Sequence, residues 1–175
     1  PGSIGGGIRM NSGCYNEDIS KILTSVQVMD LNGQMRVIYL EDIKFSYRNC
    51  NLDENLIFIS ATLKGKKETK KNIINKMNIL IEKKKKDQPS KIKTCGSTFK
   101  NPINNKAWKL IKESGCAGLS IGDAYVSEKH CNFFVNKSKA KSQDLENLIN
   151  LVKKKVKDKS GISLELELKI IGENL

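Results

Sequence analysis

Histidine, paired cysteines and long apolar runs are scarce or missing in this sequence. It has one histidine, His130, and its five cysteines are scattered with no CxxC pair. A zinc site needs closely spaced ligands and a disulfide scaffold needs paired cysteines. The scattered cysteines therefore indicate free thiols in a reducing compartment. No apolar run approaches the roughly 18 residues of a membrane-spanning helix, and no charged-then-apolar segment marks a signal peptide. We therefore expect a cytoplasmic protein without a metal site.

Arginine and aromatic residues are also few. Only three of the 31 basic residues are arginine, and aromatic residues make up 6% of the chain. Arginine reads bases and grips phosphates, and aromatic rings stack on single strands, so nucleic-acid recognition lacks its usual side chains. The net charge of +12 still indicates a polyanionic partner, either nucleic acid or a small molecule carrying phosphates, unless the lysines only reflect an AT-rich genome.

The chain is long enough for one medium domain or two small ones. In the first 65 residues, β-branched and alternating stretches predict strands over 22–30 and 35–40, and the Asn32-Gly33 pair between them predicts a hairpin. The run LIFISATL, over 56–63, predicts a third strand that is apolar enough to be central.

The composition then changes to lysine-rich helical patterns. Apolar residues at helical spacing from Ile73 to Leu80 predict a helix that ends at Pro89. A shorter helix is predicted over 104–114, with Gly115 as its C-terminal cap.

The last third of the chain combines extended patterns with one long helix. Two strand-like runs, LSIGDAYV and NFFVN, precede a helix that starts with Ser142 as its N-cap and ends at Gly161. The alternating run ISLELELKII predicts a final strand. The order of elements indicates an α+β fold with two lobes that divide near residues 65–70.

Four stretches carry residues suited to chemistry. The opening run PGSIGGG is rich in small residues, whose backbone N–H groups can cradle a phosphate. It matches neither a P-loop nor a GxGxxG pattern, and a cloning scar or a flexible linker explains it equally well. In FSYRNC, Arg48 is either a surface salt-bridge partner or a bidentate grip for a carboxylate.

The other two stretches lie in the second half of the chain. In CGSTFKNP, Ser97 belongs to a polar turn or presents its hydroxyl for proton transfer, and no His–Asp pairing suits it as an acyl-transfer nucleophile. His130, in SEKHCNFFVN, fits a structural role better than a catalytic one on spacing alone. In LELELK, Glu165 and Glu167 share one face of an alternating strand, which points either to solvent or to a cleft.

These stretches, in this order, resemble the UDP-N-acetylenolpyruvoylglucosamine reductase (MurB) family of bacterial cell-wall synthesis. The matching segments are PGSIGGGIRMNSGCYN, FSYR, CGSTFKNP, GLSIGDAYVSEKHCNFFVN and LELELKIIG, and together they extend over almost the whole chain. The unbroken GSTFKNP and VSEKH segments resemble the shorter subtype, which lacks an extra loop near the substrate.

The resemblance implies a two-step hydride relay. NADPH reduces FAD, and reduced FAD converts UDP-N-acetylglucosamine enolpyruvate to UDP-N-acetylmuramate. Residues 1–66 then correspond to the second subdomain of the FAD-binding domain, and residues 67–175 to the substrate-binding domain. The family places a first FAD subdomain before these residues, so we expect the 175-residue chain alone to hold FAD weakly and to be inactive. The implied partners are NADPH and the UDP-sugar, without nucleic acid or membrane, and the implied state is a monomer.

The resemblance also assigns catalytic and flavin-binding roles. Arg48 and Glu167 match the pair that orients and stabilises the carboxylate-enol, and Ser97 matches the proton donor. The residues that match the flavin-contacting loop are Gly2, Ser3, Ile4, Gly5, Gly6 and Asn11.

Four further residues match substrate-binding positions. Lys100 and Asn101 match the loop that meets the UDP diphosphate. Lys85 lies in the basic run 83–86, before the family's Gln-Pro pair, and His130 takes the place of a substrate-side polar residue.

Three positions depart from the family pattern without touching the catalytic candidates. Cys50 stands where serine is usual, Asp123 where glycine is common and Lys169 where arginine is common. The first two affect local hydrogen bonding, and the third keeps its charge. Two alternatives stay open: a basic module that binds nucleic acid, and a catalytically inert chain of the MurB type.

Overall fold

The computed structural model describes residues 2–172, and the chain divides into two compact units with the boundary between Glu68 and Thr69. Every strand pair in the described residues is antiparallel, and helices occur in both units. The predicted α+β class is confirmed. No helix between residues 2 and 172 combines the length and apolar character that crossing a bilayer requires.

The first unit, within its described residues, has one α-helix, two single-turn 3₁₀ helices and seven strands. The α-helix and strands are α1 (Ile4–Arg9), β1 (Gly13–Cys14), β2 (Glu17–Asp18), β3 (Leu23–Met29), β4 (Met35–Tyr39), β5 (Phe45–Ser46), β6 (Asn49–Cys50) and β7 (Ile57–Leu63). The 3₁₀ helices cover Ile19–Lys21 and Leu40–Asp42.

The predicted hairpin between β3 and β4 is confirmed. Gly33 adopts a φ of +82° at its turn, a value that glycine reaches without strain. The Asp30 carboxylate accepts hydrogen bonds from the backbone N–H groups of Asn32 and Gln34, both at 2.9 Å. Side chains from β3 then alternate into a small core that also includes parts of α1 and the loops: Ile8, Leu23, Val26, Val28, Ile43, Cys50 and Leu56.

The third strand of this sheet is not central, contrary to its prediction. The order is β4-β3-β7, so β3 occupies the middle and β7 lies at an edge. Both Ile57 and Ile59 on β7 are 47% exposed. Apolar, β-branched residues suit any pleated strand, at an edge or in the middle, so composition alone did not determine the position.

The second unit, within its described residues, has three α-helices and four strands. They are α2 (Lys70–Asp87), β8 (Lys93–Ser97), α3 (Ala107–Glu113), β9 (Ser120–Ile121), β10 (Ala124–Val126), β11 (Phe133–Asn136) and α4 (Ser142–Ser160). The strands form one sheet in the order β8-β11-β10-β9. The core around it consists mainly of side chains from α3, α4 and the sheet: Phe99, Ala107, Leu110, Ile111, Cys116, Ala124, Val126, Cys131, Phe134, Leu148, Ile149, Val152, Val156 and Leu164.

The helices largely follow the predicted spacing, but two of their starts differ. Lys141, not Ser142, is the N-cap of α4, because the Asp144 carboxylate reaches back to accept from the Lys141 backbone N–H at 2.9 Å. The short helix begins at Ala107 instead of residue 104, since Asn104 has a left-handed φ of +58°. Gly161 ends α4 in the left-handed conformation, as predicted.

Candidate functional site

Residues 97–101 form the segment on which the predicted proton donor and diphosphate-binding residues lie. Ser97 is half-buried at the end of β8, where its Cα lies opposite that of Phe133 on β11. Gly96, just before it, has a φ of +86°, which a residue with a side chain rarely adopts. A residue with a side chain at position 96 would therefore strain the backbone directly before the Ser97 hydroxyl.

The segment that carries Glu167 runs alongside residues 98–100. The Lys100 N–H donates to the Glu165 carbonyl at 2.8 Å, and the Glu167 N–H donates to the Thr98 carbonyl at 2.9 Å. Because Thr98 directly follows Ser97, two of the three predicted catalytic residues lie on adjoining backbone segments of one unit.

The predicted final strand is reduced to a single bridge between Phe99 and Leu166 in the described residues. Residues 98–100 form two backbone hydrogen bonds with this segment, one on either side of the bridge. The alternation that motivated the prediction is nevertheless present. Leu164 is buried, and Leu166 and Leu168 pack against the core, so the leucine face points inward.

Lys100 is engaged by a carboxylate in this structure. Its Nζ lies 2.5 Å from Glu165 Oε1, with the lysine side chain 29% exposed and the glutamate 73% exposed. A pair this open to water contributes little to stability, since solvent screens it. The ammonium of Lys100 is therefore not committed to a structural role.

Asn101 stabilises the start of α3. Its Oδ1 accepts from the Ala107 backbone N–H at 3.0 Å, which satisfies one of the amide groups that a helix leaves unpaired at its N-terminus. Asn101 thus has a local capping role in addition to its predicted contact with the substrate.

His130 lies on the turn between β10 and β11, between two aromatic rings. Its ring is T-shaped against Phe133 with centroids 4.8 Å apart, and it is tilted against Trp108 at 6.3 Å. Burial lowers the pKa of the imidazole, while its own backbone hydrogen bond and the charge of Asp87 raise it. Nδ1 is buried and has no hydrogen-bond partner within residues 2–172. The imidazole is therefore neutral near pH 7.

This burial predicts a pH dependence of stability. Below about pH 6.5 the unfolded chain takes up a proton at His130, whereas the folded imidazole stays neutral, so the free energy of unfolding falls as pH drops toward the folded-state pKa. We expect His130→Gln to remove this part of the pH dependence. Urea unfolding of both proteins at pH 8 and at pH 5.5 measures it, and identical pH dependence in the two proteins would contradict the prediction.

Lys85 lies on the last turn of α2. Its Nζ is 2.8 Å from Glu82 Oε1, and its backbone carbonyl accepts from the Nζ of Lys129. The basic run 83–86 suits this end of the helix, because lysines stabilise the negative end of the helix dipole. The Lys129 contact joins this end of α2 to the turn that carries His130.

Arg48 belongs to the first unit, in the turn between β5 and β6. It has a left-handed φ of +56°. Its Nη2 donates to the Gly13 carbonyl at 3.1 Å, and its guanidinium lies 4.9 Å from the centre of the Tyr47 ring. These contacts fix the planar guanidinium of Arg48 at the tip of a tight hairpin. A fixed guanidinium of this kind can bind a carboxylate through two hydrogen bonds.

The opening glycine segment is helical, although the resemblance implied a loop. Ser3 is the N-cap of α1, and its Oγ accepts from the Gly6 N–H at 3.1 Å. A Cβ on Gly5 would come within 2.9 Å of Phe58, so the close approach of α1 to β7 requires glycine there. Gly2, Ser3 and Ile4 remain exposed.

Asn11 follows α1 and is 6% exposed. Its Nδ2 donates to the Ser46 carbonyl at 3.1 Å, whereas its Oδ1 is buried without a partner in the part of the chain that the structure describes. A buried acceptor without a donor is costly, so Asn11 Oδ1 is a candidate acceptor for a ligand N–H.

Sequence reasoning missed two organising residues, of which Arg9 is the first. Its guanidinium donates to three carbonyls, those of Leu52 at 2.7 Å, Asp53 at 2.8 Å and Leu56 at 3.1 Å, and it lies 4.9 Å from the centre of the Phe58 ring. This clamp ties the end of α1 to the loop before β7. Its partners are backbone groups, which leave no pattern in the sequence.

Asn132 is the second residue that sequence reasoning missed. It is 3% exposed and bonds the backbone of Phe99 in both directions. A buried polar residue next to an apolar strand was the one available signal, because such a side chain needs hydrogen-bond partners nearby.

The three positions that depart from the family pattern differ in their surroundings. Cys50 is buried in the core of the first unit. The Asp123 carboxylate accepts from the Lys139 N–H at 2.9 Å, and its carbonyl accepts from the Lys137 N–H. Lys169 is exposed.

Comparison with known proteins first defines the class of the second unit. Residues 88–171, which include Ser97, His130 and Glu167, match the family model described as UDP-N-acetylenolpyruvoylglucosamine reductase, C-terminal domain. This part of the chain is therefore similar to that C-terminal domain.

The chain as a whole resembles the corresponding reductases. It is 51% identical to UDP-N-acetylenolpyruvoylglucosamine reductase of Pelagibacter ubique, over 98% of this chain and 58% of the relative. The reductase of the same name from Wolbachia sp. subsp. Drosophila simulans is 44% identical, over 98% of this chain and 59% of the relative. The crystal structure of the Thermus caldophilus enzyme (MurB) superposes with a TM-score of 0.83 and 33% identity, over 95% of this chain and 59% of that one.

These matches confirm the resemblance to the MurB family across nearly the whole chain. The chain spans somewhat less than 60% of the length of these relatives.

Proposed function

We propose that the protein is a reductase of peptidoglycan precursor synthesis, which reduces UDP-N-acetylglucosamine enolpyruvate to UDP-N-acetylmuramate with NADPH and FAD. The observation that carries the proposal is the pairing of the segments that bear Ser97 and Glu167 through the Thr98 carbonyl and the Glu167 N–H. This pairing occurs within residues 88–171, which match the model of the C-terminal domain of such reductases.

The residues described in the first unit suit a flavin. Asn11 Oδ1 is a buried acceptor without a donor, and the edge of a flavin ring carries an N–H that would fit it. The predicted flavin-contacting residues Gly2 to Gly6 lie before and in the first turn of α1, and a side chain at Gly2 would meet open space. When bound, FAD supplies hydride, and the protein orients the reacting groups.

Addition of hydride to one carbon of the enolpyruvyl double bond builds negative charge on the substrate carboxylate, which becomes enolate-like. Arg48 offers a guanidinium to this charge, and Glu167 helps to orient the carboxylate-enol as in the family. Electrostatic stabilisation of such developing charge is often the largest contribution to catalysis.

The neighbouring carbon then needs a proton. Ser97 donates it from its hydroxyl and recovers one from solvent. A serine hydroxyl is a weak acid, so the basicity of the enolate drives the transfer. The half-buried position of Ser97 at the end of β8 leaves its hydroxyl within reach of a ligand.

Four polar residues of the second unit bind the UDP-sugar in this proposal. Lys100 exchanges its weak pair with Glu165 for the diphosphate, and Asn101 and Lys85 add polar contacts. The neutral His130 offers a donor or an acceptor without bringing a charge near the substrate.

The test is a pair of half-reactions in the full-length protein. We expect NADPH to bleach the visible absorbance of the protein's flavin, and the enolpyruvyl UDP-sugar to restore it under anaerobic conditions. Loss of absorbance without restoration by this substrate would overturn the proposal. A basic nucleic-acid module would instead bind DNA with an affinity that falls steeply with salt.

A further inference from the structure

The side chain of Asn132 takes the place of a strand beside Phe99. The Phe99 N–H donates to Asn132 Oδ1 at 3.0 Å, and Asn132 Nδ2 donates to the Phe99 carbonyl at 2.8 Å. A carboxamide has the same donor and acceptor as a peptide group. It therefore reproduces the two hydrogen bonds that a neighbouring strand residue would make.

The Asn132 side chain replaces a strand at the place where the regular hydrogen-bond ladder between β8 and β11 ends. Their register shifts between Phe133 and Val135, and β8 ends at Ser97. Phe99 is fully buried, so its N–H and carbonyl need protein partners. Asn132 is also 3% exposed, and without its side chain both Phe99 groups would be buried and unpaired.

The same residues are bonded on their opposite edge to the segment of Glu167. Thr98 donates its N–H to the Asn132 carbonyl at 2.8 Å and accepts from the Glu167 N–H at 2.9 Å. Residues 98–100 therefore lie between Asn132 on one side and residues 165–167 on the other. Ser97 directly precedes this central segment and Glu167 is bonded to it, so the position of the segment determines the positions of both residues.

We propose that Asn132 is a positioning residue for the proton donor Ser97 and the Glu167 carboxylate. It touches neither the substrate nor the cofactor, and it acts through the backbone of residues 98–100. The inference rests on the proposed reductase function. A misplacement of about 1 Å at a reacting group costs on the order of 100-fold in rate, so loss of the two bonds is expected to slow the reaction in addition to weakening the fold.

Asn132→Leu in the full-length protein tests the role, because leucine keeps the volume and removes both bonds. We expect flavin reduction by NADPH to stay within about twofold of wild type, whereas reoxidation by the enolpyruvyl substrate falls about 100-fold. Amide hydrogen exchange at Phe99, measured without ligands, should accelerate about tenfold or more.

Val152→Ala is the matched control. Val152 is fully buried on α4 in the same core, so its truncation destabilises the unit without removing a bond to residues 98–100. We expect Val152→Ala to leave both half-reactions near their wild-type rates. An equal loss of substrate-dependent reoxidation in Val152→Ala would overturn the positioning role.

Asn132→Asp provides a second variant with a signature that general destabilisation does not produce. A neutral carboxyl keeps one donor and one acceptor for Phe99, whereas the ionised form loses the donor. Burial raises the pKa of such a carboxyl. We expect the reoxidation rate of Asn132→Asp to recover as pH is lowered, while Asn132→Leu shows no recovery.

The outcomes separate this inference from the proposed function. A wild-type protein that fails the half-reaction with substrate overturns both. A wild-type protein that performs it, with a folded Asn132→Leu variant that matches its rate, overturns only the role of Asn132. If Asn132→Leu does not fold, a flat pH profile of Asn132→Asp overturns that role.

Discussion

Ser97→Ala is expected to leave the reduction of flavin by NADPH intact and to slow the reoxidation of flavin by the enolpyruvyl substrate about 1,000-fold. The substitution removes one oxygen from a half-buried strand end, so the backbone bonds of residues 98–100 persist. A positioned general acid contributes roughly 100-fold to 10,000-fold, and water replaces a missing hydroxyl only poorly. Stopped-flow absorbance of the full-length protein separates the two half-reactions.

Ser120→Ala serves as its control. Ser120 is exposed on β9, at the opposite edge of the same sheet from β8, so it tests the same chemical change at the edge of the sheet that does not carry Ser97. Both half-reactions should match wild type in this variant. A Ser97→Ala protein with wild-type turnover would refute the assignment of Ser97 as proton donor.

Glu167→Gln is expected to reduce substrate-dependent reoxidation about 100-fold, whereas Glu165→Gln should change it by less than about threefold. Both residues lie on one short segment, and each bonds residues 98–100 through its backbone. The substitution keeps the shape of the side chain and removes its charge. Glutamine places an N–H where one carboxyl oxygen stood, so it loses the hydrogen bond by which Glu167 orients the carboxylate-enol in the proposed mechanism. A hydrogen bond made in the transition state is worth about 3 kcal/mol in a site of this kind, which corresponds to a loss of this size.

The contrast between the two glutamates makes the experiment decisive. Glu165 pairs with Lys100 in a position open to water, and such a pair contributes at most about 1 kcal/mol. Its loss frees Lys100, so the KM for the UDP-sugar should fall slightly or stay constant. Equal losses in the two variants would mean that the segment responds to charge in general, and Glu167 would have no special role.

The local elements of the fold followed from short-range patterns. The Asn32-Gly33 turn and the flanking alternation predicted the β3–β4 hairpin, because turn geometry and side-chain direction are settled within a few residues. Apolar spacing predicted α4 and its end at Gly161 for the same reason. These features depend on neighbours in sequence, which a single chain displays directly.

The errors concern relations between distant parts of the chain. The run LIFISATL has the composition of a central strand, yet its place at the edge depends on which strands pair with β3. The run ISLELELKII alternates as a strand does, yet within the described residues it forms only one bridge, to the short segment 98–100. Neither fact is encoded within the run itself.

The candidate site likewise combines features that the sequence predicted with features that depend on distant parts of the chain. Chemical type and the family resemblance predicted Ser97, Arg48 and Glu167 as site residues, and the structure shows two of them on adjoining segments. Arg9 and Asn132 escaped notice, because their partners are backbone groups 33 to 47 residues away. A hydrogen bond to a backbone carbonyl constrains the partner's position but not its identity, so it leaves no residue pattern.

The pairing of residues 98–100 with 165–167 has a consequence in polymer terms. It closes a loop of 65 residues between Lys100 and Glu165, which contains α3, the strands β9 to β11 and α4. The entropy lost on closing a loop grows only with the logarithm of its length, so doubling it costs about 0.6 kcal/mol. Insertions in the turns of this long excursion therefore change the free energy of pairing very little. Lys100 and Glu165 can keep their relative geometry while the chain between them lengthens or shortens.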